Sequence, residues 1–174
     1  MVKMGFGVLG VVILLGLSGY GQRATGGQVV TRVGPERAIV SSVVWVGDTL
    51  YVSGTMAPVD YAADKAKGTP AGYHGDTKAQ AIGAIRSIVV ALKGQGLGLG
   101  DIVQMQAYLV GDPAKGGVMD REGWDAAYSQ FFGSAAQPNK PVRATVQVVR
   151  TVIPTGLIEI MVVAVRSRSL VPAK

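Results

Sequence analysis

The chain contains no cysteine, which excludes disulfide bridges, thiolate metal sites and cysteine nucleophiles. It has a single histidine, His74, so a metal site built from several histidines is impossible. A serine–histidine–aspartate mechanism would depend on that one residue. Charged residues make up only 16% of the chain, whereas hydrophobic residues reach 48%. Such a composition is typical of a folded globular protein.

The length of 174 residues suits one domain of ordinary size. Basic residues outnumber acidic ones by 17 to 11, and the net charge of +6 favours anionic ligands. These basic residues are dispersed, and their clearest concentration is Arg166, Arg168 and Lys174 at the end of the chain, where a solvated tail, residues 167–174, is expected. We therefore expect no nucleic-acid partner.

The first residues have the order of a secretory signal. Lys3 precedes an apolar run from Gly5 to Leu17, and small residues follow that run. The run is short for a membrane span. The sequence predicts a signal peptide over 1–21, with an uncleaved membrane anchor as the alternative, and hence an exported protein, periplasmic or secreted. Residues 22–37 are mostly polar and are predicted to form a leader.

Two strands and a long loop are predicted next. The mostly apolar runs at 43–46 and 50–53 favour strands, and Gly47 and Asp48 between them suit a tight hairpin turn. Residues 54–75 contain several glycines and prolines, which indicate a loop.

Two helices are predicted from their caps and their apolar spacing. The first begins after Asp76 and ends at Gly94, and the second begins after Asp120 and ends at Gly133. Between them, residues 102–110 alternate as a strand, with Val103, Met105, Ala107 and Leu109 on one side. The predicted buried faces of the helices are Ile82, Ile85, Ile88, Val89 and Leu92, and then Trp124, Ala127, Tyr128 and Phe131.

Two further strands, 142–149 and 157–165, close the predicted domain, with a turn at 154–156. The resulting order of elements predicts an α+β fold in which two helices cover one face of a mostly antiparallel sheet. The other face would need a cover, and oligomerisation is one way to supply it.

The last two strands carry one notable charge each. Arg143 lies near the start of the first, and Glu159 is the only charge in the second, which is otherwise apolar on both sides. A hairpin around 154–156 would bring them into one neighbourhood. Two interpretations remain open: a structural ion pair or a solvated arginine, and a ligand site in which arginine grips a carboxylate while glutamate handles protons.

Six segments in order resemble one family. They read "LYVSGTMAP", "GDTKAQAIGAIRSIVVAL", "DIVQMQAYLVGD", "WDAAYSQFFG", "PVRATVQV" and "GLIEIMVVAV". The chain is similar in these segments to the reactive-intermediate deaminase (RidA) family, also called endoribonuclease L-PSP, and the predicted RidA-like domain spans 38–166. The resemblance implies a chorismate-mutase-like subunit, a homotrimer with ligand clefts between subunits, and hydrolysis of small 2-enamines and 2-imines to 2-oxo acids and ammonia without a cofactor.

The resemblance also implies roles for particular residues. Arg143 matches the arginine that binds the substrate carboxylate, and Glu159 matches the acidic residue that activates or orients water. Ser53 and Gly54 match the pair that lines the cleft, and Thr145 falls where the family supplies a backbone contact. No metal ligand is implied.

The chain departs from the family pattern at two cleft positions. Asp125 stands where the family has asparagine, and residues 38–40 read Ala-Ile-Val where many active relatives have a tyrosine. Besides the deaminase, two functions therefore stay open: a non-catalytic trimer that binds small carboxylates or proteins, and the RNA cleavage that the family's older name suggests. A membrane partner is expected only if the N-terminal segment is not cleaved.

Overall fold

A six-stranded sheet forms the centre of the structure, a computed structural model that describes residues 27–59, 61–68 and 72–167. The strands are β1 (Val30–Val33), β2 (Val43–Val46), β3 (Thr49–Thr55), β4 (Ile102–Val110), β5 (Val142–Val148) and β6 (Ile158–Val165), and the helices are α1 (Tyr61–Ala66), α2 (Thr77–Gly94) and α3 (Arg121–Tyr128). The strand order in space is β1-β2-β3-β6-β4-β5, and all neighbours are antiparallel except β4 and β5. The predicted α+β class is confirmed.

The caps of α2 agree with the prediction. The Asp76 carboxylate accepts a hydrogen bond from the backbone N–H of Ala79 at 2.8 Å, and the helix ends at Gly94. The buried face of α2 includes two alanines, which let the helix approach the sheet closely. Ile82 and Val89, which were predicted on this face, lie at its margin and are only partly buried. The buried apolar residues of α2 are Ala81, Ala84, Ile85, Ile88 and Leu92.

The second helix, α3, begins after Asp120 as predicted but ends earlier. Tyr128 is its last residue, whereas the sequence predicted Gly133. Tight turns follow, because the backbone N–H groups of Phe131 and Phe132 both donate to the Tyr128 carbonyl. These turns bury Phe132 more fully than Phe131, which the helical spacing had favoured.

Among the described residues, one strand and one α-helix were not predicted. Strand β1 lies inside the predicted leader, 22–37, and pairs with β2; its four residues are all exposed, so no apolar alternation marked it. Helix α1 lies inside the predicted loop, 54–75. The Gly47 turn is confirmed, since this residue has a φ of 59°, a left-handed value that glycine adopts readily.

The pairing of the last two strands differs from the predicted hairpin. Strand β4 lies between β5 and β6, so the strand with Arg143 and the strand with Glu159 are not neighbours. The chain crosses from β4 through α3 and returns as β5 parallel to β4, which is the usual route to a parallel pair. Strand β6 then fills the centre of the sheet, where its apolar sequence fits.

The sheet face opposite α2 and α3 is uncovered, and we call it the open face. Large apolar side chains are exposed on it: Tyr51 is 48% exposed, Val142 70%, Val146 47% and Met161 40%. On β5 the apolar side therefore faces outward, while Arg143 and Thr145 face the helices. In β4 a bulge between Ile102 and Gln104 buries Ile102. Val103, predicted on the same side as Met105, is exposed.

None of the described helices combines the length and the hydropathy that crossing a bilayer requires. The predicted signal peptide or anchor, residues 1–21, lies outside the described part of the chain, as does the tail beyond Ser167.

Candidate functional site

Arg143 lies on the edge strand β5, opposite Met105 of β4. Met105 is fully buried beneath the helices, and residues paired across neighbouring strands share a face, so Arg143 also points toward the helix layer. Its side chain is 24% exposed, although the backbone of the edge strand is open to solvent. The guanidinium is thus held against the protein and does not extend into water.

Helix α3 supplies the contacts of this guanidinium. Arg143 Nη2 donates to Asp125 Oδ1 at 2.7 Å. The guanidinium carbon lies 4.6 Å from the ring centroid of Tyr128 and 5.3 Å from that of Trp124. Such cation–π contacts each contribute about 0.5–2 kcal/mol and fix the orientation of the planar group.

Thr145, two residues further along β5, lines the same cleft. Its hydroxyl oxygen accepts a hydrogen bond from the indole N–H of Trp124 at 3.2 Å. The cleft has a volume of about 280 Å³, and Arg143 forms part of its wall. We call Arg143, Thr145 and Asp125, together with this cleft, the arginine corner. Its size suits a small ligand, and the guanidinium of Arg143 offers N–H donors to an anionic group.

The aromatic wall of the arginine corner is uncharged at neutral pH. Burial raises the pKa of the Tyr128 phenol above its ordinary value of 10.0, and the nearby positive charge of Arg143 opposes this rise. The Tyr128 phenol therefore remains protonated and neutral, so it does not compete with an anionic ligand for the guanidinium of Arg143.

Asp125 already occupies one side of Arg143. A second arginine, Arg121, approaches the other Asp125 oxygen at 3.5 Å but is 76% exposed. An anion that binds Arg143 must therefore share the guanidinium with a carboxylate of the protein. Arginine has five N–H donors, so sharing is possible, but the two negative charges repel each other.

Glu159 lies on the other side of the sheet. It is paired with Tyr108 of β4, and its strand neighbours Ile158 and Ile160 are fully buried on the helix side, so Glu159 points to the open face. Its carboxylate lies directly over Gly54, where any Cβ would overlap Glu159 Oε1. Only glycine fits at this place without displacing the carboxylate.

Ser53 and Gly54 form a bulge in β3. Between Val52 and Thr55 two residues face one residue of β6. Both line a groove of about 420 Å³ between the end of β3 and the helix layer. Glu159 lies against Gly54, and Ser53 precedes Gly54 in the bulge. We call these three residues the glutamate corner.

The two corners are separate within one subunit. Arg143 faces the helices and Glu159 faces the open side, with β4 between their strands. Their partners on β4, Met105 and Tyr108, are three residues apart, so the two Cα atoms are separated by about 14 Å. Of the interpretations left open by the sequence, the structural ion pair between Arg143 and Glu159 is not formed, because the partner of Arg143 is Asp125.

The sequence interpretation missed part of each corner. Trp124 and Tyr128 were assigned to packing only, although their spacing around Asp125 places all three on one side of α3. Tyr73, from the predicted loop, was not considered, yet it lies close enough to Glu159 for that charge to raise the pKa of its phenol. No local pattern marks that contact. No group of three or more histidine, aspartate or glutamate side chains suited to hold a metal ion occurs in the described ranges.

Comparison with known families adds to this geometry. The family model of endoribonuclease L-PSP matches residues 31–166, most of the chain and both corners. The chain belongs to this family. The match also begins seven residues before the predicted domain start at 38, which agrees with the additional strand β1. Among curated proteins, no sequence matches this L-PSP-family chain significantly.

Solved structures show the same fold. The YjgF gene product of E. coli is 28% identical, with a TM-score of 0.56, over 78% of this chain and 91% of that one. E. coli TdcF, determined with bound serine, is 25% identical, with a TM-score of 0.55 and the same coverage. A Mycobacterium tuberculosis member of the YjgF/YER057c/UK114 family is 24% identical, with a TM-score of 0.57, over 79% of this chain and 100% of that one. The predicted chorismate-mutase-like α+β fold is thereby confirmed.

Replacing Asp125 with asparagine should tighten the binding of a small carboxylate such as pyruvate by about tenfold. The change removes one negative charge beside Arg143 but keeps an oxygen that can accept its hydrogen bond. Isothermal titration at low salt measures the effect. The matched control is Glu122→Gln, which removes the same charge from an exposed position of α3. Equal affinities in the two variants would show that Asp125 does not compete with the ligand.

Proposed function

We propose that this L-PSP-family protein is a homotrimeric enzyme that hydrolyses small 2-imino and 2-enamino acids to 2-oxo acids and ammonia. The observation that carries the proposal is the arginine corner. An oriented arginine beside a cleft of about 280 Å³ suits the carboxylate of a small ligand better than a large or uncharged one. The serine bound by the family member TdcF, itself a small amino acid with a carboxylate, supports this ligand class.

The trimer is proposed from the arrangement of the two corners. One subunit has an arginine at the edge of its sheet and a glutamate on the opposite face, too far apart to act on one small molecule. The open face is apolar at Tyr51, Val146 and Met161, and such a surface needs a cover. A second copy that covers this face could bring its arginine corner against the glutamate corner of the first. Closed rotational symmetry would repeat the site at each interface.

The proposed reaction needs no group beyond those of the two corners and water. Arg143 binds the substrate carboxylate and fixes the imine carbon. A water molecule transfers one proton to Glu159 as its oxygen bonds to that carbon, and the C=N electron pair moves to nitrogen. The nitrogen then takes up the proton from Glu159 and becomes an amine. As the C–N bond breaks, Glu159 accepts the hydroxyl proton and passes it to the nitrogen, so that the C=O group forms and ammonia leaves.

A trapping assay tests this activity. An amino-acid oxidase generates the imino acid, and semicarbazide captures whatever imine the protein has not hydrolysed. The wild-type protein should reduce the semicarbazone signal, and Arg143→Ala should not. If the wild type hydrolyses the imine no faster than Arg143→Ala, the deaminase proposal fails.

The ion pair between Asp125 and Arg143, at 2.7 Å, favours a second candidate, a trimer that binds small carboxylates without turnover. Under this alternative, Asp125 sets the affinity of Arg143 for the carboxylate, and Glu159 only packs against Gly54. Saturable carboxylate binding with no effect on the semicarbazone signal would support this alternative.

Replacing Gly54 with alanine should lower kcat by about a hundredfold and leave carboxylate binding unchanged. A Cβ there overlaps Glu159 Oε1, so the carboxylate must move, and a displacement of about 1 Å can have that effect on a reacting group. Gly54 does not have a left-handed backbone, so the new side chain adds no backbone strain. Gly94→Ala is the control, because a Cβ at Gly94 meets nothing within 4 Å. Unchanged turnover in Gly54→Ala would remove Glu159 from the mechanism.

We also propose that the protein acts outside the cytoplasm, on the basis of the signal-like order of residues 1–21. Fractionation of cells that produce the full chain tests this. Mature protein that starts near residue 22 in the exported fraction supports it, and uncleaved protein in the cytoplasmic fraction contradicts it.

A further inference from the structure

Two arginines line the cleft of the arginine corner, one from strand β5 and one from helix α3. Arg143 and Arg121 both form part of the wall of this cleft, whose volume is about 280 Å³. The Asp125 carboxylate contacts both guanidiniums, because its Oδ1 accepts from Arg143 Nη2 at 2.7 Å and its Oδ2 lies 3.5 Å from Arg121 Nε. The wall therefore holds two cationic groups that share one carboxylate.

These three groups give the arginine corner a net positive charge, since two guanidiniums are opposed by one carboxylate. Asp120, which caps α3 immediately before Arg121, lies 3.7 Å from Lys115, so the charges of that pair cancel. Without Arg121, the pair of Arg143 and Asp125 would be neutral as a whole and would attract an anion only weakly. Arg121 is thus the residue that makes the corner cationic.

Helix stability does not account for the place of Arg121. It is the first residue of α3, where the helix dipole disfavours a cation. It also precedes its acidic partner by four residues, an order that stabilises a helix less than the reverse order does. Because Arg121 is 76% exposed, its pair with Asp125 contributes little to folding. A ligand in the cleft gives this arginine a reason to be there.

The two guanidiniums have enough donors to bind a ligand together. The contact of Arg121 with Asp125 involves Nε, and a guanidinium carries four further N–H donors on its two Nη atoms. Arg143 donates to Asp125 through Nη2 and has other N–H groups as well. A ligand carboxylate in the cleft can therefore accept hydrogen bonds from both arginines while Asp125 stays in place.

We propose that the arginine corner selects ligands with a single negative charge, and that two residues make this selection. Arg121 is a second binding residue for the substrate carboxylate, and Asp125 repels any further anionic group that enters the cleft. One carboxylate brings the corner to neutrality, whereas a dicarboxylate adds an excess negative charge beside Asp125. The substrates are then 2-imino acids with an uncharged side chain. This substrate class rests on the proposed deaminase function, but the selection by charge does not.

A matched pair of oxo acids, the products of the proposed reaction, tests the role of Asp125. The carbon chains of 2-oxovalerate and 2-oxoglutarate are equally long, and only the second acid ends in a carboxylate. The wild type should bind 2-oxovalerate at least about tenfold more tightly in isothermal titrations at low salt. Asp125→Asn should lose most of this preference, and Glu122→Gln, which removes the same charge from an exposed position of α3, should keep it. Equal binding of both acids by the wild type, or a preference that survives in Asp125→Asn, overturns this role.

Replacing Arg121 with glutamine tests the second binding residue. The variant should bind 2-oxovalerate about tenfold more weakly, because the corner is then neutral as a whole. Its urea midpoint should stay at the wild-type value, since an exposed ion pair adds little stability. Arg86→Gln removes an arginine from an exposed position of α2 and should retain the affinity within about twofold. Equal affinities in Arg121→Gln and Arg86→Gln would show that Arg121 does not bind the carboxylate.

A comparison of binding with turnover separates this inference from the proposed function. Amino-acid oxidases supply the imino acids of norvaline and glutamate, and the wild type should hydrolyse the norvaline imine with a kcat/KM about tenfold higher. Selective binding of 2-oxovalerate without hydrolysis of either imine refutes the deaminase proposal and leaves the selection by charge standing. Hydrolysis of both imines with equal kcat/KM refutes the selection by charge and leaves the deaminase proposal standing.

Discussion

Replacing Arg143 with alanine should lower kcat/KM for a small 2-imino acid by at least about a hundredfold. The guanidinium is the group that the proposed mechanism uses to hold the substrate carboxylate, and loss of one partner of such a charged hydrogen bond costs about 2–5 kcal/mol. The variant also leaves Asp125 without its closest cation, so that an anionic ligand meets a negative charge where it had met a positive one. The trapping assay with purified protein measures the change.

Two further variants make this result specific. Arg143→Lys keeps the charge but not the planar fork, so it should recover only part of the loss. Arg86→Ala removes an arginine from an exposed position of α2, and its kcat/KM should remain within about twofold of the wild type. If Arg143→Ala and Arg86→Ala are equally active, the arginine corner does not bind the substrate.

Replacing Trp124 with alanine should lower the free energy of unfolding by about 3–5 kcal/mol. The indole is fully buried, its N–H is bonded to Thr145 Oγ1, and its ring contacts that of Tyr128 edge to face, with centroids 5.8 Å apart. A loss of this size is a large share of the stability of an ordinary domain. Urea denaturation followed by circular dichroism measures it.

The same substitution should weaken carboxylate binding, since the ring also helps to orient Arg143. Trp124→Phe is the control: it keeps an aromatic ring beneath the guanidinium and loses only the indole N–H, so it should cost less stability and retain most of the binding. A Trp124→Ala variant with the wild-type urea midpoint would contradict the burial that places α3 against β5.

The features that the sequence predicted well depend on neighbouring residues. The Asp76 cap and the Gly94 end of α2 need only a few residues of context, and the structure has both. The Gly47 turn follows from the same kind of local chemistry. The six ordered segments gave the family, which the match over 31–166 confirms.

Other features depend on partners far apart in the chain. The hairpin of the last two strands was predicted from proximity in sequence, but β4 pairs with both of them, and no residue in the turn specifies that choice. The contact of Tyr73 with Thr155 joins residues 82 positions apart. Pairing across such separations depends on the whole core, which a periodic pattern in one segment does not reveal.

The arrangement of the site was predicted only in part. The sequence identified Arg143 and Glu159 and placed them together, whereas one subunit holds them on opposite faces of its sheet. No pattern in the strands showed that separation. Because of it, the proposed mechanism requires the trimer, which the sequence analysis had expected only from the resemblance to the family. The exposed apolar side of β5 also supports an oligomer, because an isolated subunit would leave these side chains in contact with water.

Mixing two inactive variants tests this account most directly. Arg143→Ala lacks one corner and Glu159→Gln lacks the other, and each alone should form a trimer with little activity. Unfolding and refolding them together in equal amounts should produce mixed trimers in which about one quarter of the interfaces join an intact arginine corner to an intact glutamate corner. Imine hydrolysis should then recover to about one quarter of the wild-type rate. If mixed trimers form and no activity returns, Arg143 and Glu159 do not act across a subunit interface, and the account is wrong.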